Sequence, residues 1–280
     1  MRSGDNIRRR AEDISEDDHL LGTGERLDAR HVALLAAQGL TDVRVRRRAR
    51  VGILSTGNEL RQPGTTLNEG TIYDSNRPML LSIAREAGLH VVDGGCFADE
   101  PHAIASALSS LAECCDLLVT TGGASVGEED HSARAMELSG SEFETLRIAL
   151  KPGKPAVVGR IGSCGYIGLP GNAVSALVCW LLIGCAMVSR LEGRAVERRP
   201  GCPMRAASAF KRRPGRTEFA PARIVNMDTG GAIEFLGRGG SARLRPLVLA
   251  DGLAEIAALH APVEAGDTVL FHPLRNGFIV

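Results

Sequence analysis

Four short segments carry the residue types from which chemistry could be built: STGNEL at 55–60, TTGGASVGEED at 120–130, ALKPGKP at 149–155 and GLPGNAVSA at 168–176. In the second, paired glycines let the backbone approach a ligand closely. Successive N–H groups of such a turn can form an anion nest, and the N-terminus of the helix expected near Glu128–Asp130 favours anions. Asp130 has two readings: it caps that helix, or it holds a divalent cation beside phosphate, since Mg²⁺ is usually bound by one or two carboxylates plus phosphate oxygens. Thr56 and Gly57 repeat the same strand-end logic. Glu59 reads either as a surface helix residue or as a metal-binding or basic carboxylate. Lys151 and Lys154 bracket a Pro-Gly turn, so both can point at one anion; a solvated turn with two lysines is the plain alternative. Gly171 and Asn172 form a turn, and Asn172 can cap a helix that follows.

Other chemistries find little support. The phosphate signature GxxxxGK[ST] is absent, as is GxGxxG opening a βαβ unit. No Ser/His/Asp or Cys/His nucleophile arrangement stands out. The seven cysteines are odd in number, show no CxxC spacing and fall partly in apolar runs, which predicts reduced thiols in a cytoplasmic protein and no zinc site. Lys+Arg and Asp+Glu both total 33, so no global charge points to nucleic acid or an anionic membrane. The arginine runs at 8–10 and 46–50 have no interleaved aromatics and read as solvated. The apolar stretch 173–189 is short for a span, which needs about 20 residues. It reads as a helix buried in a soluble core.

Positioning those segments requires a regular frame. VGILSTG, VVDGG, LLVTTGG, FETLRIAL, PAVVGRI and GYIGL are β-rich runs. They alternate with helical patterns in DSNRPMLLSIAREAGL, where Asp74, Ser75 or Asn76 caps the helix and Gly88 stops it, and in PHAIASALSSLAEC. Strands alternating with helices predict a doubly wound, mostly parallel α/β sheet over 48–195, covered on both faces. Ligands of such sheets sit beyond the carboxyl ends of the strands, where STG, TTGG and GLPGN all fall. Short alternating runs after Pro200 predict a small all-β domain, barrel or sandwich, over 196–280. Residues 1–47 read as a partial domain whose one helix, LDARHVALLAAQGL, is capped by Asp28 and ended by Gly39.

STGNEL, IYDSNRPML, TTGGASVGEED, LKPGKP and GLPGNAVSA, in this order and spacing, resemble the MoeA family of molybdopterin molybdenumtransferases, to which the C-terminal part of gephyrin is similar. RSGDNIRRRAEDI resembles the end of that family's second domain. The resemblance covers essentially the whole chain and is most specific in 51–176. It implies that adenylylated molybdopterin and molybdate are converted to molybdenum cofactor and AMP with Mg²⁺ assisting. It places acidic residues at Glu59, Asp99 and Asp130, as catalytic groups and as Mg²⁺ or molybdate ligands. The substrate-binding residues it implies are Thr56, Gly57, Asn76, Thr121, Gly122, Gly123, Ser125, Val126 and Gly127, with Lys151, Gly153 and Lys154 for phosphate or molybdate. Pro170, Gly171, Asn172 and Ser175 complete the rim, and Ser241 matches a position near the family's oxyanion site. The resemblance also implies a homodimer, and the preceding adenylyltransferase of the pathway as a partner.

The chain departs from the family pattern in three ways. Asn58 stands where GDEL has aspartate, Ala173 stands where GLPGNPVSA has proline, and a further N-terminal segment with another acidic residue is expected but does not match here. The two substitutions are tolerable, although Ala173 loosens a turn that proline would pre-set; the unmatched segment, which contributes to the family's shared active site, is what leads to an expectation of impaired turnover. Two alternatives stand beside it: a non-catalytic molybdopterin-binding or scaffold protein, and a pyrophosphatase or amidase acting on a nucleotide-like substrate.

Overall fold

A computed structural model describes residues 7, 9–122, 129–196, 201–225, 230–237, 240 and 242–274, with backbone alone at 129–132. In the N-terminal part, α1 (Ala29–Ala37) starts as expected. Asp28 accepts from the backbone N–H groups of Arg30 and His31, and the His31 ring accepts from the Asp28 N–H. Gly39 ends it in the left-handed region. The helix buries only Leu35 and leaves Val32 exposed.

The chain then enters β1 (Arg50–Thr56), the short pair β2 (Leu60–Arg61) and β3 (Ile72–Tyr73), α2 (Asn76–Glu86), β4 (His90–Phe97), α3 (Pro101–Ala112), β5 (Leu117–Thr121) and α4 (Glu129–Leu138). It continues through β6 (Glu142–Arg147), β7 (Leu150–Lys151), β8 (Pro155–Ile161) and β9 (Cys164–Leu169). The long helix follows as α5 (Ala173–Cys179), a π segment (Trp180–Gly184) and α6 (Cys185–Leu191). Trp180 is fully buried, and a Cβ on Gly184 would lie 2.3 Å from its ring, so glycine makes the room the indole needs. The helix Ala173–Leu191 is apolar and long enough to cross a membrane by composition alone, yet half of it is buried inside the fold.

The main sheet runs β4-β1-β5-β9-β8-β6. Period-two alternation sends successive residues of each strand to opposite faces. Val51, Ile53, Leu117 and Val119 meet Leu80 and Ala84 of α2 and Val174 and Val178 of α5. Leu54 and Leu118 meet Ile104 and Leu108 of α3 and Ala135 and Met136 of α4. Burying each such Leu or Ile contributes about 1.5–3 kcal/mol. The first four strands are parallel, as the sequence predicts, but β8 runs antiparallel to both its neighbours, β9 and β6. The reason is connection length: Ile161 pairs with Cys164 across a tight turn at Gly162, and a turn that short cannot make a parallel crossover.

The C-terminal domain holds β10 (Cys202–Ala206), β11 (Thr217–Val225), β12 (Ala232–Phe235), α7 (Leu244–Val248), β13 (Gly252–Ile256) and β14 (Thr268–Pro273). Its strands run β12-β10-β14-β13-β11, and β11 pairs back to β12, closing a barrel around Ala222, Ile233, Ala254 and Phe271. β7, which arises inside the α/β domain, adds to this sheet beside β11.

Candidate active site

Because β4, β1, β5 and β9 are parallel, their carboxyl ends share one edge. The turns leaving those ends touch through backbone. Gly57, with φ +155°, donates its N–H to the Phe97 carbonyl at 3.0 Å, tying the β1 exit to the β4 exit. Gly122, with φ +98°, lies so close to the end of β1 that a Cβ would come within 2.1 Å of the Thr56 carbonyl oxygen. A Cβ on Gly171 would lie 3.9 Å from the Gly122 Cα.

Asn76 fastens the same turns from α2. Its buried amide donates to Thr121 Oγ1 at 2.9 Å and to the Gly171 carbonyl. Ser75, and not Asn76, occupies the N-cap position of α2, and makes no capping bond. Asn76→Ala removes the donor to both groups. It is expected to destabilise the fold by about 1–3 kcal/mol in thermal melts. Stability equal to the parent's would show that this staple contributes nothing.

The carboxylates come next. Glu59 folds back on its own turn, its Oε2 2.8 Å from where a Gly57 Cβ would lie. Asp99 pairs reciprocally with Asn58: the Asn58 N–H donates to Asp99 Oδ2 at 3.0 Å, and the Asp99 N–H donates to Asn58 Oδ1 at 3.1 Å. Asp99 thereby sits next to the turn that carries Glu59. Thr56 and Ser55, both buried, have hydroxyls without a hydrogen-bond partner among the described residues. Thr120 and Tyr166 share a buried hydrogen bond of 2.7 Å, and burial pushes the phenol up to about 12, so it stays protonated.

The KPGKP turn packs against α5, the helix that follows the β9 exit. Gly153, with φ +110°, seats against the helix: a Cβ would lie 2.6 Å from Cys179 Sγ and 3.7 Å from the Ser175 carbonyl. Pro170 and Ser175 are buried, whereas Asn172 is exposed. Asn172 holds the N-cap position of α5 but makes no side-chain capping bond, so its amide is not spent on the helix. Lys154 is exposed, while Lys151 is half-exposed and paired with Glu218 of the barrel at 2.8 Å. Gly123, Ser125, Val126, Gly127 and Ser241 lie outside the described residues, as does the side chain of Asp130.

Sequence reasoning missed a brace behind the rim. Asp74, read there as a candidate cap, accepts from the Arg77 backbone N–H and from Arg77 Nε, both at 3.1 Å. Arg77 also donates to both oxygens of Asp93, at 2.5 and 2.6 Å. Burial works against the Arg77 charge, but Asp93 and Asp74 outweigh it and raise its pKa. The arginine run before β1 is partly structural too. Arg47 makes a bidentate pair with Asp116 at 2.6 Å, which holds that carboxyl below its usual range.

Residues 52–190 match the family model described as "Probable molybdopterin binding domain", and residues 203–274 match "MoeA C-terminal region (domain IV)". A molybdopterin molybdenumtransferase of Haemophilus influenzae is 32% identical over 275 residues, covering 97% of this chain and 67% of that protein. The chain belongs to the MoeA family. That family serves molybdenum cofactor biosynthesis. Molybdopterin molybdenumtransferase 2 of Mycobacterium tuberculosis, another MoeA relative, is 33% identical over 268 residues, covering 94% of this chain and 66% of that protein. A MoeA crystal structure from Pyrococcus horikoshii superposes with a TM-score of 0.75 at 29% identity, over 94% of this chain and 64% of that one. The chain thus spans about two thirds of the length of these MoeA proteins.

Proposed function

We propose that this chain binds adenylylated molybdopterin at the carboxyl edge of its parallel strands and takes part in inserting molybdate, releasing AMP. One observation carries the reading: the turns after β1, β4, β5 and β9 are drawn together by the Gly57–Phe97 hydrogen bond, the packing of Gly122 on Thr56 and the Asn76 staple, with carboxylates on two of them and, among the described residues, two hydroxyls without a partner at the end of β1. Such a rim suits a phosphorylated ligand, which needs N–H donors, hydroxyls and cations more than shape alone.

The donor set fits magnesium. Among the described residues the Glu59 carboxylate accepts no hydrogen bond, and Asp99 has one oxygen committed to Asn58. Two hard carboxylates beside a phosphate site match the usual Mg²⁺ arrangement. Glu59, Asp99 and Asp130 would hold the ion, which when bound supplies charge neutralisation at the pyrophosphate oxygens. Lys151 and Lys154 orient phosphate and molybdate as point charges. Thr56, Gly57, Thr121, Gly122, Gly123, Ser125, Val126 and Gly127 bind the pterin phosphate, Asn76 acts by fastening Thr121 and Gly171, and Gly153, Pro170, Gly171, Asn172, Ser175 and Ser241 border it. The reading extends to a cytoplasmic homodimer fed by the adenylyltransferase that makes the substrate. The exposed Val32, Val43 and Val45 around α1 suit coverage by a second subunit.

The test is to supply adenylylated molybdopterin, Mg²⁺ and molybdate and to follow AMP. Release in proportion to protein supports the transferase reading. Pterin binding without AMP release favours a binding module, and binding of neither pterin nor AMP overturns the assignment for this chain.

A further inference from the structure

Lys151 does not stand on a free loop. It lies in β7, in parallel register with β11, where Leu150 faces Thr217 and Lys151 faces Glu218. The Thr217 N–H donates to the Ala149 carbonyl at 2.9 Å, extending the pairing by one step. Lys151 Nζ is 2.8 Å from Glu218 Oε1, and the Glu218 side chain is only 7% exposed. The other Glu218 oxygen lies 3.4 Å from Arg212 Nε. The Arg212 side chain is fully buried, and its terminal nitrogens donate to the carbonyls of Ala257, His260 and Arg216. The row therefore holds two cations and one carboxylate. Arg212 offsets Glu218, so the charge of Lys151 is held in place without being cancelled. The lysine side chain remains 43% exposed, anchored on one side and open on the other.

We propose that Glu218, its charge balanced by Arg212, is a positioning residue that orders Lys151 for the anionic group of the rim's ligand. A free lysine loses much rotamer freedom when a ligand immobilises it. Here that ordering is already made by the barrel. The C-terminal domain thus takes part in ligand binding through a residue that never touches ligand. This rests on reading the rim as a pterin-phosphate site.

The experiment measures the molybdopterin Kd of the full chain for the parent, Glu218→Gln, Lys151→Ala and the double variant, with a thermal melt of each. Glu218→Gln and Lys151→Ala are each expected to raise Kd about tenfold, the size of one hydrogen bond to a charged group, and the double variant to bind no worse than Lys151→Ala alone. Glu218→Asp keeps the counter-charge of Arg212 but withdraws the carboxylate by one methylene. It should fold near the parent's melting temperature and still bind several-fold more weakly, which a purely structural glutamate would not show. A parent-like Kd in folded Glu218→Gln and Glu218→Asp, or single effects that multiply in the double variant, overturns the proposal while leaving the site intact. A parent chain that binds no molybdopterin overturns the reading of the site and the proposal with it.

Discussion

Gly122→Ala is expected to abolish pterin binding and to destabilise the chain well beyond an ordinary surface change. The residue has φ +98°, a conformation that costs a non-glycine residue on the order of 1–3 kcal/mol. Steric collision adds more than this backbone strain. The new methyl would sit 2.1 Å from the Thr56 carbonyl oxygen, which is backbone and cannot swing aside. Either the β5 exit or the β1 exit must move, and both belong to the proposed site. Gly140→Ala is the control: φ is +68° there, but a Cβ meets nothing within 4 Å. Thermal melts and pterin titrations of the two variants separate strain from collision. If Gly122→Ala matches Gly140→Ala in both, the close approach of the two turns is not what organises the rim.

Asp99→Asn is expected to reduce Mg²⁺-dependent AMP release by about a hundredfold or more, while changing stability by no more than roughly 0.5 kcal/mol. Asparagine keeps an oxygen to accept the Asn58 N–H and keeps its own N–H for Asn58 Oδ1, so the link between the β1 and β4 exits survives. What it loses is the charge a cation needs. A matched loss of melting temperature and activity would make Asp99 a structural link; unchanged activity would remove it from the metal set.

These tests lean on features of unequal visibility in the sequence. The strand-end glycines were legible because β-rich apolar runs stop at Gly57 and Gly122. The Asp28 cap and the Gly39 stop of α1 followed from local chemistry alone. The antiparallel β8–β9 hairpin also left a local trace, a short turn at Gly162, outweighed by the surrounding strand–helix alternation. Other contacts left no trace. Asn58 read as a tolerable departure from aspartate, and only the fold shows it bonded to Asp99 across two loops. Arg77 sits within a helical pattern, and nothing local indicates that Asp93, on the strand β4, completes its pair. Lys151 and Glu218 lie in separate domains, and period-two patterning cannot say which strand a two-residue β7 will join.

The loan of β7 to the barrel also bears on how the chain can be cut and recombined. A graft of the C-terminal domain taken from the linker near residue 196 onward would leave β11 without β7 and Glu218 without the lysine it faces. A hybrid in which two MoeA relatives exchange this domain must therefore match at Leu150–Lys151 as well as at the linker. The seam that matters for such an exchange runs through the KPGKP turn, far upstream of where the sequence changes character.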